Sequence, residues 1–156
     1  GKDMGNLLWS SKAFREEDII MCLQQPECAV ISDTTALAPY GILKNNIGSI
    51  SGYGWAARFF QNYVNEKKVL TLTEAIRRIT SLPAERLGLI KRGKLKKSYY
   101  ADICIFDSQK IKNNSDLKNL KAYPSGIEHV LVNGIFSVKN GKRTELDGGN
   151  VLREFH

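Results

Sequence analysis

The chain has 156 residues, 42% of them apolar and 25% charged, a balance typical of one globular domain and not of a disordered chain. No run approaches the roughly 18 consecutive apolar residues of a membrane span, and the first residues lack a signal-peptide pattern, so we expect no membrane association and a cytoplasmic location. The net charge of +7 is partly concentrated between Arg86 and Lys97, but without an aromatic-rich pattern or zinc-finger spacing we expect a solvated loop and no nucleic-acid partner.

The start of the chain alternates apolar runs with a helical pattern. NLLW at 6–9 and CAVI at 28–31 are apolar runs of strand length. Between them, residues 14–25 begin with acidic side chains and carry apolar ones on one face, and Pro26 ends the pattern. Strand, helix and strand predict a βαβ unit, whose apolar strands would lie in a parallel sheet covered by helices.

A long loop and several helices are predicted next. Residues 34–54 hold four glycines and show little periodicity, and long loops in compact domains tend to be functional. Residues 55–67 resume helical spacing with a bulky apolar stripe that we expect in the core. TLTE at 71–74 matches a capping box, in which the two end side chains satisfy each other's backbone N–H groups. Pro83 and Gly88 then predict a short helix over residues 83–87.

From Lys94 the pattern changes to short strands, which places a domain boundary near residue 93. Apolar runs predict strands at 103–106, 127–132 and 135–139, and residues 107–126 form a polar excursion between the first two. Asn133-Gly134 predicts a tight hairpin, because both turn residues must adopt positive φ, and Asn140-Gly141 repeats the signal.

Neither the cysteines nor the histidines form a metal-binding pattern. Cys22, Cys28 and Cys104 each lie in an apolar stretch, so we expect reduced core residues. His129 falls in a predicted strand and His156 is the last residue, and no H-x-H or H-E-x-x-H pair is present. A catalytic zinc site needs about three protein ligands, and we expect none within this chain alone.

Asp33 is the candidate catalytic residue that position suggests. It directly follows the predicted strand at 28–31, at the end of the strand where ligands bind in open α/β sheets and (β/α)8 barrels. The alternative is a turn cap, in which the carboxylate accepts backbone hydrogen bonds around Thr34 and Thr35. Position alone does not separate the two.

Ordered blocks over nearly the whole chain resemble the end of the D-aminoacylase-like amidohydrolases, which are N-acyl-D-amino-acid deacylases. The blocks are ISDTTALAP at 31–39, YGWAAR at 53–58, LTLTEAIRRITSLPAERLGL at 70–89, RG at 92–93, YADI at 100–103, FD at 106–107, HVLVNG at 129–134 and GNVLR at 149–153. Several blocks are common among amidohydrolases, but their joint order is specific.

The resemblance implies an α/β fold, a (β/α)8 barrel with a small β-sandwich built from both chain termini. Residues 1–93 would supply the last strands and helices of the barrel, and residues 94–156 part of the sandwich. Asp33 would be the aspartate after the eighth strand, a general acid/base that takes a proton from metal-bound water and gives it to the leaving amine. The complete enzyme would hold zinc. Its metal-binding histidines would lie upstream of this chain, and Asp33 could be a further ligand of the metal. The substrate would be an N-acyl amino acid of D configuration.

The resemblance also draws attention to Tyr53, Trp55 and Arg58. In one interpretation these residues border the opening of the substrate site, where Arg58 could bind a carboxylate through two hydrogen bonds. In the other interpretation they begin a packed helix. Members of the better-known deacylase branch of the family carry His-Pro-Arg just before the tyrosine-glycine pair, where this chain has residues 49–51 (SIS), so the substrate preference stays open. Asp102 is expected to be structural.

We therefore expect the C-terminal part of a metal-dependent amidohydrolase that is inactive and free of zinc by itself. The alternative is a non-catalytic interaction or oligomerisation module that retains this tail and self-associates through exposed strand edges.

Overall fold

The computed structural model describes residues 15–33, 38, 40–42, 44–45 and 51–152. Within these residues four α-helices precede a four-stranded antiparallel sheet in the order β1-β2-β3-β4. The elements are α1 (Glu16–Gln24), α2 (Trp55–Phe59) continued by a π-helix (Phe60–Glu66), α3 (Leu72–Ile79), α4 (Ser81–Arg86), β1 (Ile103–Phe106), β2 (Ile127–Val132), β3 (Ile135–Lys139) and β4 (Lys142–Arg143). The strand predicted at 6–9 lies outside the described residues. No described helix is long and apolar enough to cross a membrane.

Helix α1 confirms the predicted helix with slightly shorter ends. Its first turn holds three acidic residues, and the Asp18 carboxylate accepts a hydrogen bond from the backbone N–H of Arg15 at 3.1 Å. Negative side chains are favourable there because the helix dipole is positive at its start. The helix stops before Pro26, which cannot continue the backbone hydrogen bonding.

Helices α3 and α4 confirm the predicted positions but correct two details. Thr71 Oγ1 accepts from the backbone N–H of Glu74 at 3.2 Å, as a capping box requires. The Glu74 carboxylate does not complete that box, because it pairs with two arginines of its own helix. Helix α4 starts at Ser81, so Pro83 is its third residue and not its first; proline is tolerated there because first-turn N–H groups have no helical acceptor.

The predicted helix over residues 55–67 is present, but its second half is a π-helix. The N–H of Lys67 donates to the carbonyl of Asn62 at 2.8 Å, one residue farther back than in an α-helix. The expected apolar stripe is in the core, since Phe59, Phe60 and Val64 are buried.

The predicted strand at 28–31 is wrong. No described residue pairs with it in a strand ladder; the N–H of Val30 donates instead to the carbonyl of Arg78, the penultimate residue of α3, at 3.0 Å. The side chain of Ile31 is 72% exposed. An apolar run becomes a strand only beside another strand, and the described neighbour of this segment is a helix.

The β-meander agrees with the prediction. Both predicted turns have two residues at positive φ, 51° and 82° at Asn133-Gly134 and 52° and 71° at Asn140-Gly141. Strand β1 pairs with β2, with a bulge between Ile105 and Phe106. The polar excursion at 107–126 folds back on itself, since Lys112 and Ser125 exchange backbone hydrogen bonds of 3.1 and 3.0 Å.

One apolar core joins the helices to the excursion. Its buried members are Leu23, Ala57, Phe59, Phe60, Val64, Ala75 and Ile111. The ring centroid of Phe60 lies 5.2 Å from that of Phe106, which ties the π-helix to β1.

The cysteines are free thiols, as predicted, but two of them are not core residues. Cys22 and Cys104 are exposed, and Cys28 is partly buried. An apolar stretch is buried only where other elements cover it, and on β1 the neighbouring residues Cys104 and Ile105 are both exposed although they point to opposite faces of the sheet.

Gly126 offers a test of this packing. It has φ of 85°, and an added Cβ would lie 2.6 Å from backbone atoms of Ile111. We expect Gly126→Ala to lower the free energy of unfolding by about 3 kcal/mol or more, through left-handed strain plus overpacking. At Gly141 φ is 71° and the nearest atom would be 3.7 Å away, so Gly141→Ala should cost only about 1 kcal/mol. Equal losses of unfolding free energy in the two variants, measured by urea denaturation, would contradict the close contact at Gly126.

Candidate active site

The segment that leads to Asp33 is attached to α3 by two arginines. Nη1 of Arg78 donates to the carbonyl of Cys28 at 2.8 Å and also to the carbonyl of Gln25. Nη2 of Arg77 donates to the carbonyl of Pro26. Together with the hydrogen bond from Val30 to the carbonyl of Arg78, these contacts fix the backbone up to three residues before Asp33.

Glu74 holds both arginines in place. Its Oε1 and Oε2 accept from Nη2 and Nε of Arg77 at 2.8 and 2.9 Å, and Oε1 also accepts from Nε of Arg78 at 2.5 Å. Hydrogen bonds from Arg77, and then from Arg78, lower the pKa of Glu74 to about 2. The Arg78 side chain is only 3% exposed, so this carboxylate neutralises a buried positive charge.

Asp33 itself is exposed and has a left-handed backbone with φ of 43°. Aspartate is among the few residues that tolerate this conformation. The alternative role, a cap on Thr34 and Thr35, lies outside the described residues. Asp33 therefore has an accessible carboxylate at the end of a fixed segment.

Tyr53 has a buried hydroxyl that finds no hydrogen-bond partner in the part of the chain described here. Its ring contacts that of Tyr123 edge-to-face, with centroids 5.3 Å apart. Burial raises the pKa of Tyr53, as do the nearby phenols of Tyr123 and Tyr40. A buried hydroxyl without a partner is costly, which marks Tyr53 as a group with unused donor capacity.

Trp55 and Arg58 both belong to α2. Trp55 opens the helix and is partly buried, whereas Arg58 is exposed. Among the described residues no hydrogen bond, ion pair or ring contact joins Asp33 to Tyr53, Trp55 or Arg58. The structure therefore places the four predicted site residues on two segments, both of which pack against the same apolar core.

Sequence reasoning missed that the polar excursion packs against the start of α2. A Cβ on the buried Gly54 would lie 1.7 Å from Oδ1 of Asn113, so only glycine allows this approach. The backbone N–H of Asn113 donates to Oε1 of Gln61 at 3.3 Å, and Nδ2 of Asn65 donates to the carbonyl of Ser108 at 2.6 Å. The glycine between Tyr53 and Trp55 was the available signal for a close contact.

Asp102 has the structural role expected for it. Its carboxylate pairs with Arg92 and accepts from the backbone N–H of Asn133 at 2.8 Å. Arg92 also donates to Oδ1 of Asn133 at 2.7 Å, and Nδ2 of Asn133 donates to the carbonyl of Gly148 at 2.6 Å. The network holds the β2–β3 turn against both flanking segments.

The basic run between Arg86 and Lys97 is partly neutralised inside the chain. Arg86 pairs with Glu27 at 2.8 Å, and Lys94 pairs with Glu85. With Arg92 bound to Asp102, these ion pairs occupy cations that a nucleic acid would otherwise contact. The absence of a nucleic-acid partner stays a prediction.

The described residues do not fit a zinc site by themselves. Nowhere in the described ranges do three His, Cys, Asp or Glu side chains come close enough together to hold a metal ion. Asp33 could supply one ligand, and the others would have to come from outside these ranges.

Comparison with known proteins gives a consistent family. The model of the amidohydrolase family matches residues 36–138. An N-acyl-D-glutamate deacylase of Alcaligenes xylosoxydans xylosoxydans is 38% identical over 82 residues, which are 53% of this chain and 17% of that protein. An N-acyl-D-aspartate deacylase of the same organism is 33% identical over 92 residues, 59% of this chain and 18% of that protein.

Solved structures give the same result for the fold. A mutant D-aminoacylase in complex with copper chloride superposes with a TM-score of 0.79 at 23% identity, over 90% of this chain and 28% of that chain. N-acyl-D-glutamate deacylase from Bordetella bronchiseptica, complexed with zinc and a phosphonate mimic of the tetrahedral intermediate, gives 0.70 at 28% identity, over 83% and 27%. The predicted resemblance is confirmed, and metals are present in these relatives. This chain spans less than a fifth of the curated relatives it matches.

The ion pairs of Glu74 with Arg77 and Arg78 predict that the stability of the protein depends on pH. Glu74→Gln should lower the free energy of unfolding at pH 7 by about 2 kcal/mol, because the buried Arg78 loses its carboxylate. This is less than for a fully buried pair, since the Glu74 side chain is 31% exposed. The folded-state pKa is lowered from 4.5 to about 2, so the contribution is complete above pH 4.5 and disappears as the pH falls toward 2.

Urea denaturation between pH 7 and pH 2 should therefore show the difference between wild type and Glu74→Gln shrinking across that window. Glu85→Gln is the control, because Glu85 pairs with Lys94 on the surface and should change stability little. A difference for Glu74→Gln that does not vary with pH would contradict the assignment.

Proposed function

Because the chain belongs to the amidohydrolase family, we propose that it is the C-terminal part of a metal-dependent enzyme that hydrolyses the amide bond of N-acyl-D-amino acids. One observation carries this proposal: the curated relatives are an N-acyl-D-glutamate deacylase, an N-acyl-D-aspartate deacylase and a D-aminoacylase. All three act on an acylated D-amino acid, and they differ in the side chain beside the amide. The reaction class is thus better supported than the side chain that this enzyme accepts.

In this proposal Asp33 is the general acid/base. Its exposed carboxylate would accept a proton from the attacking water and then donate it to the leaving amine. The anchored backbone before it supports this role, because proton transfer requires the carboxylate within about 3 Å of the reacting atoms. The zinc of the complete enzyme is part of the proposal, since the solved deacylase contains zinc; Asp33 could supply one ligand, and the others would come from outside the described ranges.

Tyr53, Trp55 and Arg58 would contact the substrate. The hydroxyl of Tyr53, which has no hydrogen-bond partner in the described part of the chain, would donate a hydrogen bond to an acyl or carboxylate oxygen once substrate binding exposes it. Arg58 presents an exposed guanidinium, which suits two parallel hydrogen bonds to a carboxylate. Trp55, partly buried at the start of α2, would supply apolar surface for the acyl chain.

The domain assignment belongs to the same proposal. Residues 1–93 would form the end of the (β/α)8 barrel, and residues 94–156 would form part of the β-sandwich. In that arrangement the exposed side chains of Ile31 and Ile105 would lie against parts of the enzyme beyond this chain. A cytoplasmic location stays a prediction.

The alternative, a non-catalytic module that self-associates, has one favourable observation. Strand β1 lies at the edge of the described sheet, and Ile105 on it is 45% exposed. Size-exclusion chromatography of the 156-residue chain at several concentrations distinguishes the two. A mass that rises with concentration supports edge pairing, and a concentration-independent monomer contradicts it.

Asp33→Asn provides the test of the catalytic role. In the complete enzyme we expect kcat for an N-acyl-D-amino acid to fall by about 100-fold to 10,000-fold, because the amide cannot take up the proton. Asp116→Asn is the matched control; the Asp116 carboxylate only accepts the backbone N–H groups of residues 118 and 119, so its kcat should be unchanged. Zinc content measured in parallel separates loss of acid/base function from loss of metal. Wild-type kcat in Asp33→Asn would refute the role.

A further inference from the structure

The loop that follows Asp33 is held by the C-terminal region at three points. Here the post-Asp33 loop means the described residues 40–42, 44–45 and 51–54. The guanidinium of Arg143 lies over the ring of Tyr40, 4.5 Å from its centroid. Nζ of Lys121 donates to the carbonyl of Lys44 at 2.5 Å. The ring of Tyr123 meets that of Tyr53 edge-to-face at 5.3 Å.

These contacts orient the loop more than they bury it. Tyr40 remains 47% exposed beneath Arg143, so the contact is an attraction between a cation and a ring face in water. The ammonium of Lys121 donates to a main-chain carbonyl, which holds the backbone at Lys44. The Tyr123 ring contacts the Tyr53 ring edge-to-face and restricts the orientation of that ring.

A different set of residues anchors Asp33. Its segment is attached to α3 through Arg78 and Glu74, which make no hydrogen bond or ion pair with the described residues of the loop. The polar contacts that hold the two halves of the candidate site are therefore different, although Cys28 and Val30 pack against the same apolar core as α2. Loss of one support need not disturb the other.

We propose that Arg143, Lys121 and Tyr123 are positioning residues that hold the post-Asp33 loop so that Tyr53 meets the substrate. This inference rests on the proposed function, and it assigns to the C-terminal β region a part in substrate binding. Because the support of Asp33 is separate, the three residues govern substrate affinity and leave the chemical step unchanged.

Steady-state kinetics of the complete enzyme with an N-acyl-D-glutamate test the inference. Arg143→Gln and Lys121→Gln should each raise KM by about threefold to tenfold and leave kcat within about twofold, as expected when only binding is weakened. Arg143→Lys keeps a cation over the Tyr40 ring and should restore most of the affinity.

Lys139→Gln is the matched control. Lys139 lies on the adjacent strand β3, with its ammonium 5.5 Å from the Phe136 ring centroid and away from the loop, so KM and kcat should match wild type. The proposal would be overturned if Arg143→Gln had the same KM and kcat as Lys139→Gln. It would also be overturned if Arg143→Gln lowered kcat and left KM unchanged.

Limited trypsin digestion gives a readout that does not need activity. The carbonyl of Lys44, which Lys121 binds, belongs to the peptide bond that trypsin cleaves. We expect cleavage after Lys44 to be about threefold faster or more in Lys121→Gln and Arg143→Gln, and unchanged in Lys139→Gln. If the wild-type enzyme cleaves no N-acyl-D-amino acid, the proposed function fails, and the digestion still decides whether these residues hold the loop. Equal cleavage rates in all variants would refute the positioning role.

Discussion

A buried positive charge is the constraint on which the candidate site depends. The Arg78 guanidinium is almost fully removed from water, and leaving such a charge without partners would be strongly unfavourable. The protein compensates it with the Glu74 carboxylate and with two carbonyls of the segment that ends at Asp33. The groups that neutralise the charge are thus the groups that fix the approach to Asp33. An ion pair within one helix therefore helps to fix the backbone up to Val30, three residues before Asp33.

A second set of polar contacts couples the helices to the β region. Asn113 packs over Gly54 at the start of α2, and Asn65 binds the carbonyl of Ser108. Arg92, Asp102 and Asn133 close the β2–β3 turn onto the preceding segment. These contacts give the sheet a defined position relative to the helix that carries Trp55 and Arg58.

Local signals predicted much of the fold. The helix starts predicted from acidic residues or from a threonine cap are confirmed, and so are the two Asn-Gly turns. Each of these signals depends on residues within four positions of one another. The strand at 28–31 was wrong because a strand depends on a neighbour that its own sequence does not specify. The prediction that Cys22 and Cys104 lie in the core was wrong for a similar reason, since the burial of a residue depends on which other elements pack over it. In the candidate site, Asp33 could be proposed from position and family resemblance, whereas the Arg78 anchor could not, because its acceptors lie about 50 residues away in the sequence.

The proposed function, cleavage of acylated D-amino acids by the complete enzyme, can be measured directly. The most direct measurement compares the release of free amino acid from N-acyl-D-glutamate and N-acyl-L-glutamate by the complete, zinc-loaded enzyme. We expect hydrolysis of the D substrate at a rate well above that of its L enantiomer. No release from either enantiomer, or a preference for the L substrate, would contradict it.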